Sequence, residues 1–432
     1  MSRTSSALAV SLAALCFLGA SSPGPFHVET TQKSPAHPRV ILAHRATPDA
    51  TLSIIFNAGS LDDGVASGIT RLSQHMLLEA NATADCRQFH QDVYESAATL
   101  SVETTTRTAS FTLTGDREHF PALAQRLLRL VLSPKLVAKG LGRAKRLTLN
   151  DELVGGSMND LLRFIAASVI LEGAEDGADY ASSPYGDPLV VRDLTLADVT
   201  KHVAKRFSPA NATVIATGAF DRELIEGTVA TLSGGKARGA FKRSNIKPML
   251  PMRFDKMMRR ELHMQVQLME LETPRQVAAA RILAPLLNDH IMWRLREQGI
   301  TYSTMTFPAV QEWLDFVVMV VPVANAQDVR VDKMLADWLG KIREGSLDDA
   351  EYDASRSWAI SEMHRADGES AALAGELTVG LGRVRWFEPA VEAELRTLTK
   401  AQFLETVKPW LEPNSSITFV FGRRDASPGS NR

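Results

Sequence analysis

The segment TLADVTKHVAKRFSPANATVIATG, residues Thr195–Gly218, recurs as TKAQFLETVKPWLEPNSSITFVFG, residues Thr399–Gly422. The two copies align without a gap, and their first residues lie 204 positions apart. In the first copy Val199, Val203 and Phe207 recur every four residues, which is the spacing of one helical face. A proline then ends the helix, and the alternating run that follows predicts a half-buried strand. Two such units at the ends of halves of equal length predict a duplicated domain.

Both halves contain strands and helices that occur in groups and do not alternate strictly. Predicted strands cover Thr51–Ala58, Leu100–Leu113, Met264–Leu271 and Phe316–Val323, and predicted helices cover Ala122–Leu132, Ala144–Leu153, Val277–Leu287 and Val329–Ile342. Grouped elements of this kind favour an α+β fold with two duplicated domains, each a mostly antiparallel sheet covered by helices. We place the domains at residues 38–232 and 257–424, with a disordered tail at 425–432.

A linker is predicted at residues 233–256, where glycines, prolines and basic residues are concentrated. That composition favours an exposed, extended connection. Its basic residues could instead bind an acidic partner, but a solvated linker is the preferred interpretation.

The chain begins with a segment that has the features of a secretory signal peptide. Arg3 precedes an apolar run at residues 8–19, and small residues follow it. The run is too short for a transmembrane anchor, so we predict a cleaved signal at residues 1–22 and a periplasmic or secreted protein. The net charge of −2 over 432 residues argues against nucleic acid or an anionic membrane as the main partner. Cys86 is then the only cysteine left, and we interpret it as a packing residue.

The stretch AGSLDDGVASGITRLSQHM, residues Ala58–Met76, resembles the zinc-binding region of M16 (pitrilysin-like) metallopeptidases. In that family an Ala-Gly-Ser turn precedes a helix with the inverted motif His-x-x-Glu-His. The two histidines bind zinc, the glutamate acts as the base, and a glutamate from a later helix completes the ligands. The resemblance extends from about Arg39 to Gly422, and it implies an M16 peptidase-like fold that assembles as a clamshell.

Two essential positions of that motif have changed in this chain. Arg71 stands at the first histidine, Gln74 at the glutamate, and only His75 remains, while Glu152 lies at the spacing of the later glutamate. Arginine has no acceptor lone pair, and a glutamine amide does not take up a proton at neutral pH, so we expect neither metal nor catalysis in this chain. We hypothesise that Arg71 pairs with Glu152, so that a guanidinium replaces the charge of the metal. Alternatively, these residues lie on an ordinary helix surface.

Two further segments resemble the same family. LREQGITYSTMTF, residues Leu295–Phe307, matches a C-terminal stretch whose arginine and tyrosine hold the backbone of the peptide substrate, which implies that role for Arg296 and Tyr302. SSPYGDPL, residues Ser182–Leu189, is similar to the His-Pro-Tyr-Gly segment of the family. Alternatively, Arg296 is a surface charge and Tyr302 an aromatic residue on a strand.

Many two-domain M16 proteins are heterodimers in which one subunit keeps the zinc motif and the other keeps the arginine and tyrosine. The resemblance therefore implies a non-catalytic, substrate-binding subunit with a zinc-bearing M16 partner, a peptide substrate, no nucleic acid and no membrane. Two alternatives stay open. One is a non-enzymatic scaffold with a vestigial site, and the other is a stand-alone peptidase with an atypical metal site at His75 and Glu152.

Overall fold

A computed structural model describes residues 28–151, 183–238, 252–256, 262–310, 315–323, 328–379 and 389–421. The first domain contains β1 (Glu29–Thr31), β2 (Arg39–His44), β3 (Asp49–Phe56), α1 (Ile69–Glu79), α2 (Cys86–Glu95), β4 (Thr99–Thr104), β5 (Ala109–Asp116), α3 (Phe120–Leu132), α4 (141–151), α5 (Pro188–Asp193), α6 (Leu196–Arg206), β6 (Ala212–Gly218) and α7 (Arg222–Val229). The second contains β7 (Met252–Lys256), β8 (Leu262–Met269), α8 (Pro274–Glu297), β9 (Met305–Val310), β10 (Asp315–Pro322), α9 (Asp328–Arg343), α10 (Asp349–Asp367), α11 (Ser370–Val379), α12 (Pro389–Thr397), α13 (Lys400–Val407) and β11 (Ser416–Phe421).

The two sheets share a five-stranded topology, and β1 adds a sixth strand at the edge of the first. The strand order is β1-β2-β6-β3-β5-β4 in the first sheet and β7-β11-β8-β10-β9 in the second. The pairs β2–β6 and β7–β11 are parallel, and every other neighbouring pair of strands is antiparallel. The predicted fold class, two α+β domains with mostly antiparallel sheets and covering helices, is therefore confirmed.

The repeated segment folds in the same way in both domains because the same capping chemistry starts its helix. Thr195 precedes α6 and Thr399 precedes α13, and each hydroxyl accepts a hydrogen bond from the backbone three residues later. The side chains of Asp198 and Gln402 in turn accept a hydrogen bond from the backbone N–H of the cap residue, which completes two capping boxes. The helices then bury Val199 and Val203 in one domain and Phe403 and Val407 in the other.

The first sheet is covered on both faces. Helices of its own domain pack on one face and enclose a large core that includes Leu52, Phe56 and Phe111. On the opposite face Ile41, Ala43, Ile55 and Ile215 contact Leu373 and Leu377 of α11, a helix of the second domain. Thr51 and Thr217 also form hydrogen bonds with Ser370 at the start of α11. This helix therefore joins the second domain directly to the first sheet.

Some boundaries differ from the sequence prediction. Strand β7, residues 252–256, lies within the predicted linker and pairs with β11, while β1 precedes the predicted start of the first domain. Residues 1–22 and 425–432, predicted as a signal peptide and a tail, lie outside the described residues. In the described part of the chain, no helix is both long and apolar enough to cross a membrane.

Candidate functional site

Helix α1 is fixed at its start by two glycines and one buried aspartate. Gly68 has φ +90° and lies against Gly186, where a side chain on either residue would meet the other's backbone. Asp63 accepts hydrogen bonds from the backbone N–H groups of Gly68 and Thr70, which satisfies the first turn of the helix. The contact between Gly68 and Gly186 brings the segment around Tyr185 against the buried face of α1.

That face of α1, together with β4 and α4, encloses a space that we name the α1 cleft. Arg71 lies in it and is 6% exposed. Its Nε and Nη2 donate to one oxygen of Asp151 at 2.7 and 2.6 Å, and its Nη1 donates to the carbonyl of Val102 at 2.9 Å. The guanidinium also lies 5.6 Å from the centre of the Tyr185 ring. A cation therefore occupies the cleft, and three groups hold it, namely the carboxylate of Asp151, the carbonyl of Val102 and the ring of Tyr185.

His75 shares the same carboxylate. Its Nε2 lies 2.7 Å from the Asp151 oxygen that also binds Arg71. Burial raises the pKa of Asp151, but the hydrogen bond from His75 and the charge of Arg71 outweigh it and hold that pKa below its usual range. The nitrogen that a metal would need is thus engaged with a carboxylate.

Gln74 is fully buried and bound to the sheet. Its amide nitrogen donates to the carbonyls of Glu103 and Ser110, each at 2.9 Å, and its amide oxygen accepts from the hydroxyl of Thr104. Glu103 and Ser110 face each other across β4 and β5, so the amide links the edge strand to its neighbour. Two of these three bonds need a donor on Gln74, which a carboxylate cannot provide.

The hypothesis of an Arg71–Glu152 pair concerns a residue that the structure does not describe, and it stays a prediction. Glu152 lies outside the described residues, and the carboxylate that holds Arg71 belongs to Asp151, the preceding residue. The alternative of an ordinary helix surface does not hold, because Arg71, Gln74 and His75 are all buried.

Arg296 and Tyr302 lie on the surface of the second domain. Arg296 is in the last turn of α8 and lies over the ring of Trp293, 5.6 Å from its centre. The helix ends at a turn where Gly299 has φ +67°, and Tyr302, which is 82% exposed, lies in the loop that leads to β9. Both side chains are accessible to a ligand, and Tyr302 is on a loop and not on a strand.

Two M16 family models match the chain and together cover more than half of it. The model described as "Insulinase (Peptidase family M16)" matches residues 39–155, and the model described as "Peptidase M16 inactive domain" matches residues 193–357. The chain belongs to the M16 peptidase family. No curated protein matches the sequence.

Solved structures share the fold of this M16 chain at low sequence identity. A "peptidase M16 inactive domain" from Pseudomonas fluorescens is 18% identical, with a TM-score of 0.73 over 92% of this chain and 98% of that one. A protease from Helicobacter pylori is 13% identical, with a TM-score of 0.75 over 92% and 100%. The first half of a periplasmic protease from Escherichia coli is 12% identical, with a TM-score of 0.71 over 92% of each chain.

The described residues of this M16 chain do not fit the zinc ion of the active family members. Arg71 places a positive charge where a ligand should be, and the carboxylate of Asp151 is already bound to Arg71 and His75. Nowhere in the described ranges do three histidine, cysteine or acidic side chains form a group that could hold a metal. The cation bound to Asp151 is the guanidinium of Arg71, and His75 contacts the same carboxylate oxygen directly.

Sequence reasoning missed two residues that shape the α1 cleft, Asp151 and Tyr185. Asp151 adjoins Glu152, and adjacent acids in LNDEL gave no signal to choose between them. Tyr185 lies in the segment that resembles the family, but its contact with Arg71 depends on the packing of Gly68 against Gly186. Such contacts between distant segments leave no local pattern.

Proposed function

We propose that this chain is a non-catalytic subunit of a two-chain M16 peptidase. A partner M16 chain carries the zinc, and this chain holds the peptide substrate with Arg296 and Tyr302. The predicted signal segment places the complex in the periplasm or outside the cell. The observation that carries the proposal is the α1 cleft, where Arg71 occupies the position of a metal ligand and Gln74 replaces the base.

The α1 cleft supports the loss of catalysis by this chain in two independent ways. Arg71 cannot bind a metal, and its charge opposes the approach of a cation to His75 and Asp151. The amide nitrogen of Gln74 donates hydrogen bonds to two backbone carbonyls, so it has no role in proton transfer. Replacement of Arg71 by histidine alone would leave the chain without a catalytic base, and replacement of Gln74 by glutamate alone would leave Arg71 at the ligand position.

The exposed pair Arg296 and Tyr302 supports the retention of peptide binding. A guanidinium supplies several hydrogen-bond donors for peptide carbonyls, and a phenol supplies a donor and an acceptor. Neither side chain is buried in the core of its own domain, so neither is needed to fill space there.

Native mass spectrometry of the tagged protein, purified from its own host, tests the assembly. We expect a one-to-one complex with a second chain that carries one zinc ion. A lone chain or homodimer without metal would instead support the scaffold, and one zinc bound to the isolated chain would overturn the loss of the metal site.

Peptidase assays on the purified complex test the roles of the two residues. Arg296→Gln and Tyr302→Phe should each lower kcat/KM at least tenfold while the complex stays intact. Arg330→Gln and Tyr94→Phe are matched controls, because both residues are exposed and lie outside the proposed site. Unchanged turnover in the Arg296 and Tyr302 variants would contradict the assignment.

A further inference from the structure

The second domain contains a cavity of about 600 Å³ beside helix α8, which we name the α8 cleft. Its walls come from α8, β9, α10 and α11. The lining residues are Arg281, Ala284, Pro285, Asn288, Asp289, Thr304, Met305, Thr306, Pro308, Trp358, Ala359, Glu362 and Glu376. A volume of this size matches that of pockets that bind small molecules or single side chains with their backbone.

The α8 cleft occupies the position in the second domain that the α1 cleft occupies in the first. Across the first sheet the residues in register are Val214, Ile54, Phe111 and Val102, and across the second they are Thr418, Gln265, Met319 and Thr306. Val214 and Thr418 are corresponding residues of the repeated segment, so Val102 and Thr306 also correspond. The Val102 carbonyl binds Arg71 in one cleft, and Thr306 lines the other.

The helices show why one cleft is filled and the other is open. The α8 residues that line the cavity are Arg281, Ala284, Pro285, Asn288 and Asp289, each 210 positions after Arg71, Gln74, His75, Leu78 and Glu79 respectively. At this shift the long side chains of Gln74 and His75 correspond to the short ones of Ala284 and Pro285. Two of the side chains that fill the first cleft, Gln74 and His75, therefore have short counterparts in the second, while Arg281 keeps the arginine.

Large apolar side chains are exposed around the α8 cleft. Trp358 and Met305 line it and are 51% and 52% exposed. A neighbouring cavity of about 380 Å³ shares Asp289 and is lined by Trp293, and Tyr302 lies in the adjoining loop. These four are half of the eight large hydrophobic side chains that are exposed in the described chain. Such a concentration is typical of binding surfaces.

The polar groups of the α8 cleft have a negative excess. Asp289, Glu362 and Glu376 line it together with one cation, Arg281. Arg281 lies 3.3 Å from Glu376, and Glu362 is bound to the exposed Arg365. Asp289 is exposed and accepts a hydrogen bond from the side chain of Asn288 at 3.3 Å. An acidic group beside an indole ring complements an organic cation.

We propose that the α8 cleft binds an extended peptide through a lysine or arginine side chain, which contacts Asp289 and the ring of Trp358. The inference adds a substrate preference to the proposed function, since the cleft adjoins the loop of Tyr302. It does not require the zinc-bearing partner, because the binding is a property of this chain alone. Its failure would leave the two-chain peptidase untouched.

Calorimetric titration of the isolated chain with three probes tests the proposal. The probes are the blocked hexapeptide Ala-Ala-Val-Arg-Ala-Ala, the same peptide with citrulline in place of arginine, and free arginine. We expect the arginine peptide to bind at least tenfold more tightly than the citrulline peptide, which has the same shape without the charge. Equal binding of the two peptides, or no binding of either, would overturn the proposal. Free arginine that binds as tightly as the peptide would overturn the peptide as the occupant.

Variants locate the binding in the α8 cleft. Asp289→Asn should weaken the arginine peptide about threefold to tenfold, and Trp358→Ala about tenfold. Neither should change the circular dichroism spectrum, because both side chains are exposed. Asp337→Asn, which removes an exposed carboxylate from α9 in the same domain, should leave the affinity within about twofold. An affinity that is equally insensitive to all three changes would place the peptide elsewhere and overturn the assignment.

Discussion

The α1 cleft and the α8 cleft are built on the same five strands in the same order, yet one is filled and the other is open. In the first, Arg71, Gln74 and His75 form hydrogen bonds with a strand or a neighbouring helix. In the second, the corresponding helix presents Ala284 and Pro285 to a cavity of about 600 Å³. The backbone thus sets where a cleft lies, and a few side chains on one helical face decide whether it can accept a ligand.

The difference also shows how a catalytic site can be lost without a loss of structure. A metal site brings together groups that need a cation, and its removal leaves a carboxylate in a partly buried space. Arg71 supplies a cation that belongs to the chain, so Asp151 remains charged and bonded. The α1 cleft has therefore become part of the core of its domain, and we expect mutations there to affect stability.

Removal of Arg71 should have the largest effect. Arg71→Met would remove the guanidinium from the Arg71–Asp151 ion pair and leave Asp151 in contact with His75. It would also remove the hydrogen bond from Arg71 to the Val102 carbonyl. Loss of one member of a buried ion pair lowers the free energy of unfolding by about 3 kcal/mol. Chemical denaturation followed by circular dichroism measures it.

Arg126→Met is the matched control for that variant. Arg126 binds Asp92, but its side chain is 42% exposed, so its loss should cost far less. All six tryptophans lie in the second half of the chain, so their fluorescence follows the second domain separately. Equal losses in the two variants would mean that the Arg71 pair contributes no more than a surface pair.

The change Gln74→Glu should be the next most destabilising, by about 2 kcal/mol at pH 7. The introduced carboxylate would face the carbonyls of Glu103 and Ser110 without a proton to donate. The loss should shrink as the pH falls toward 4, because the protonated acid can donate one hydrogen bond. Thermal unfolding at several pH values measures this.

Gln276→Glu is the matched control, because the side chain of Gln276 accepts hydrogen bonds where that of Gln74 donates them. Gln276 occupies the capping box of α8, and its amide oxygen accepts from the backbone N–H groups of Glu272 and Thr273. A carboxylate accepts these bonds at least as well, so this variant should be neutral or slightly stabilised. If both glutamine changes cost the same, the direction of the hydrogen bonds in the α1 cleft would not be the cause.

The repeat, the sheets and most of the helices could be predicted from the sequence, because local residue patterns determine those features. The spacing of Val199 and Val203 defines a helical face, and Thr195 marks where the helix begins. The same local signals recur 204 residues later. Strand β7 lies in the predicted linker because the glycines, prolines and basic residues before it dominate the composition, and its own alternation of Met252 and Phe254 with polar residues is too short to be a signal. Its pairing with β11 is a tertiary contact.

The contents of the two clefts could not be predicted in the same way. The contact of Arg71 with Asp151 depends on the rotation of α4 relative to α1, which no local pattern records. The packing of α11 on the first sheet depends on a contact between residues more than 300 positions apart, such as Thr51 and Ser370. The α8 cleft is open because Ala284 and Pro285 are short where Gln74 and His75 are long. These positions are matched by aligning the two domains in the structure.

The pH dependence of stability should differ between the domains because of His202. This residue of α6 is hydrogen bonded to Thr70 of α1, and burial lowers its pKa to about 4. The unfolded chain takes up its proton near pH 6.5, so the stability that neutral His202 provides is present above pH 6.5 and lost as the pH falls toward 4. His202→Gln should therefore gain about 2 kcal/mol relative to the parent chain between pH 7.5 and pH 5.

A second buried group near α1, Asp63, changes the free energy of unfolding with pH in the direction opposite to His202. Burial raises the pKa of Asp63 to about 7, so its contribution is present at low pH and lost as the pH rises through 7. Asp63 and His202 both contact the hydroxyl of Thr70, so the comparison is repeated in an Asp63→Asn background, which removes the titration of Asp63 from both proteins. The repeat places Thr406 opposite His202, and Thr406→Val should show no such pH dependence. A difference between His202→Gln and the parent that stays constant with pH would contradict the assignment.

The smallest expected effect concerns the feature that the domains share most closely. Thr195→Ala and Thr399→Ala each remove the hydroxyl that caps a helix of the repeated segment, and each should cost about 1 kcal/mol. The two losses should agree within about 0.5 kcal/mol, since both hydroxyls accept from the backbone three residues later in an exposed first turn. Circular dichroism measures the first variant, and tryptophan fluorescence measures the second. Losses that differed by more than 1 kcal/mol would mean that the domains have diverged even in their capping, and that the contrast between the clefts is part of a wider divergence. Equal losses would confine that contrast to the side chains that face the clefts.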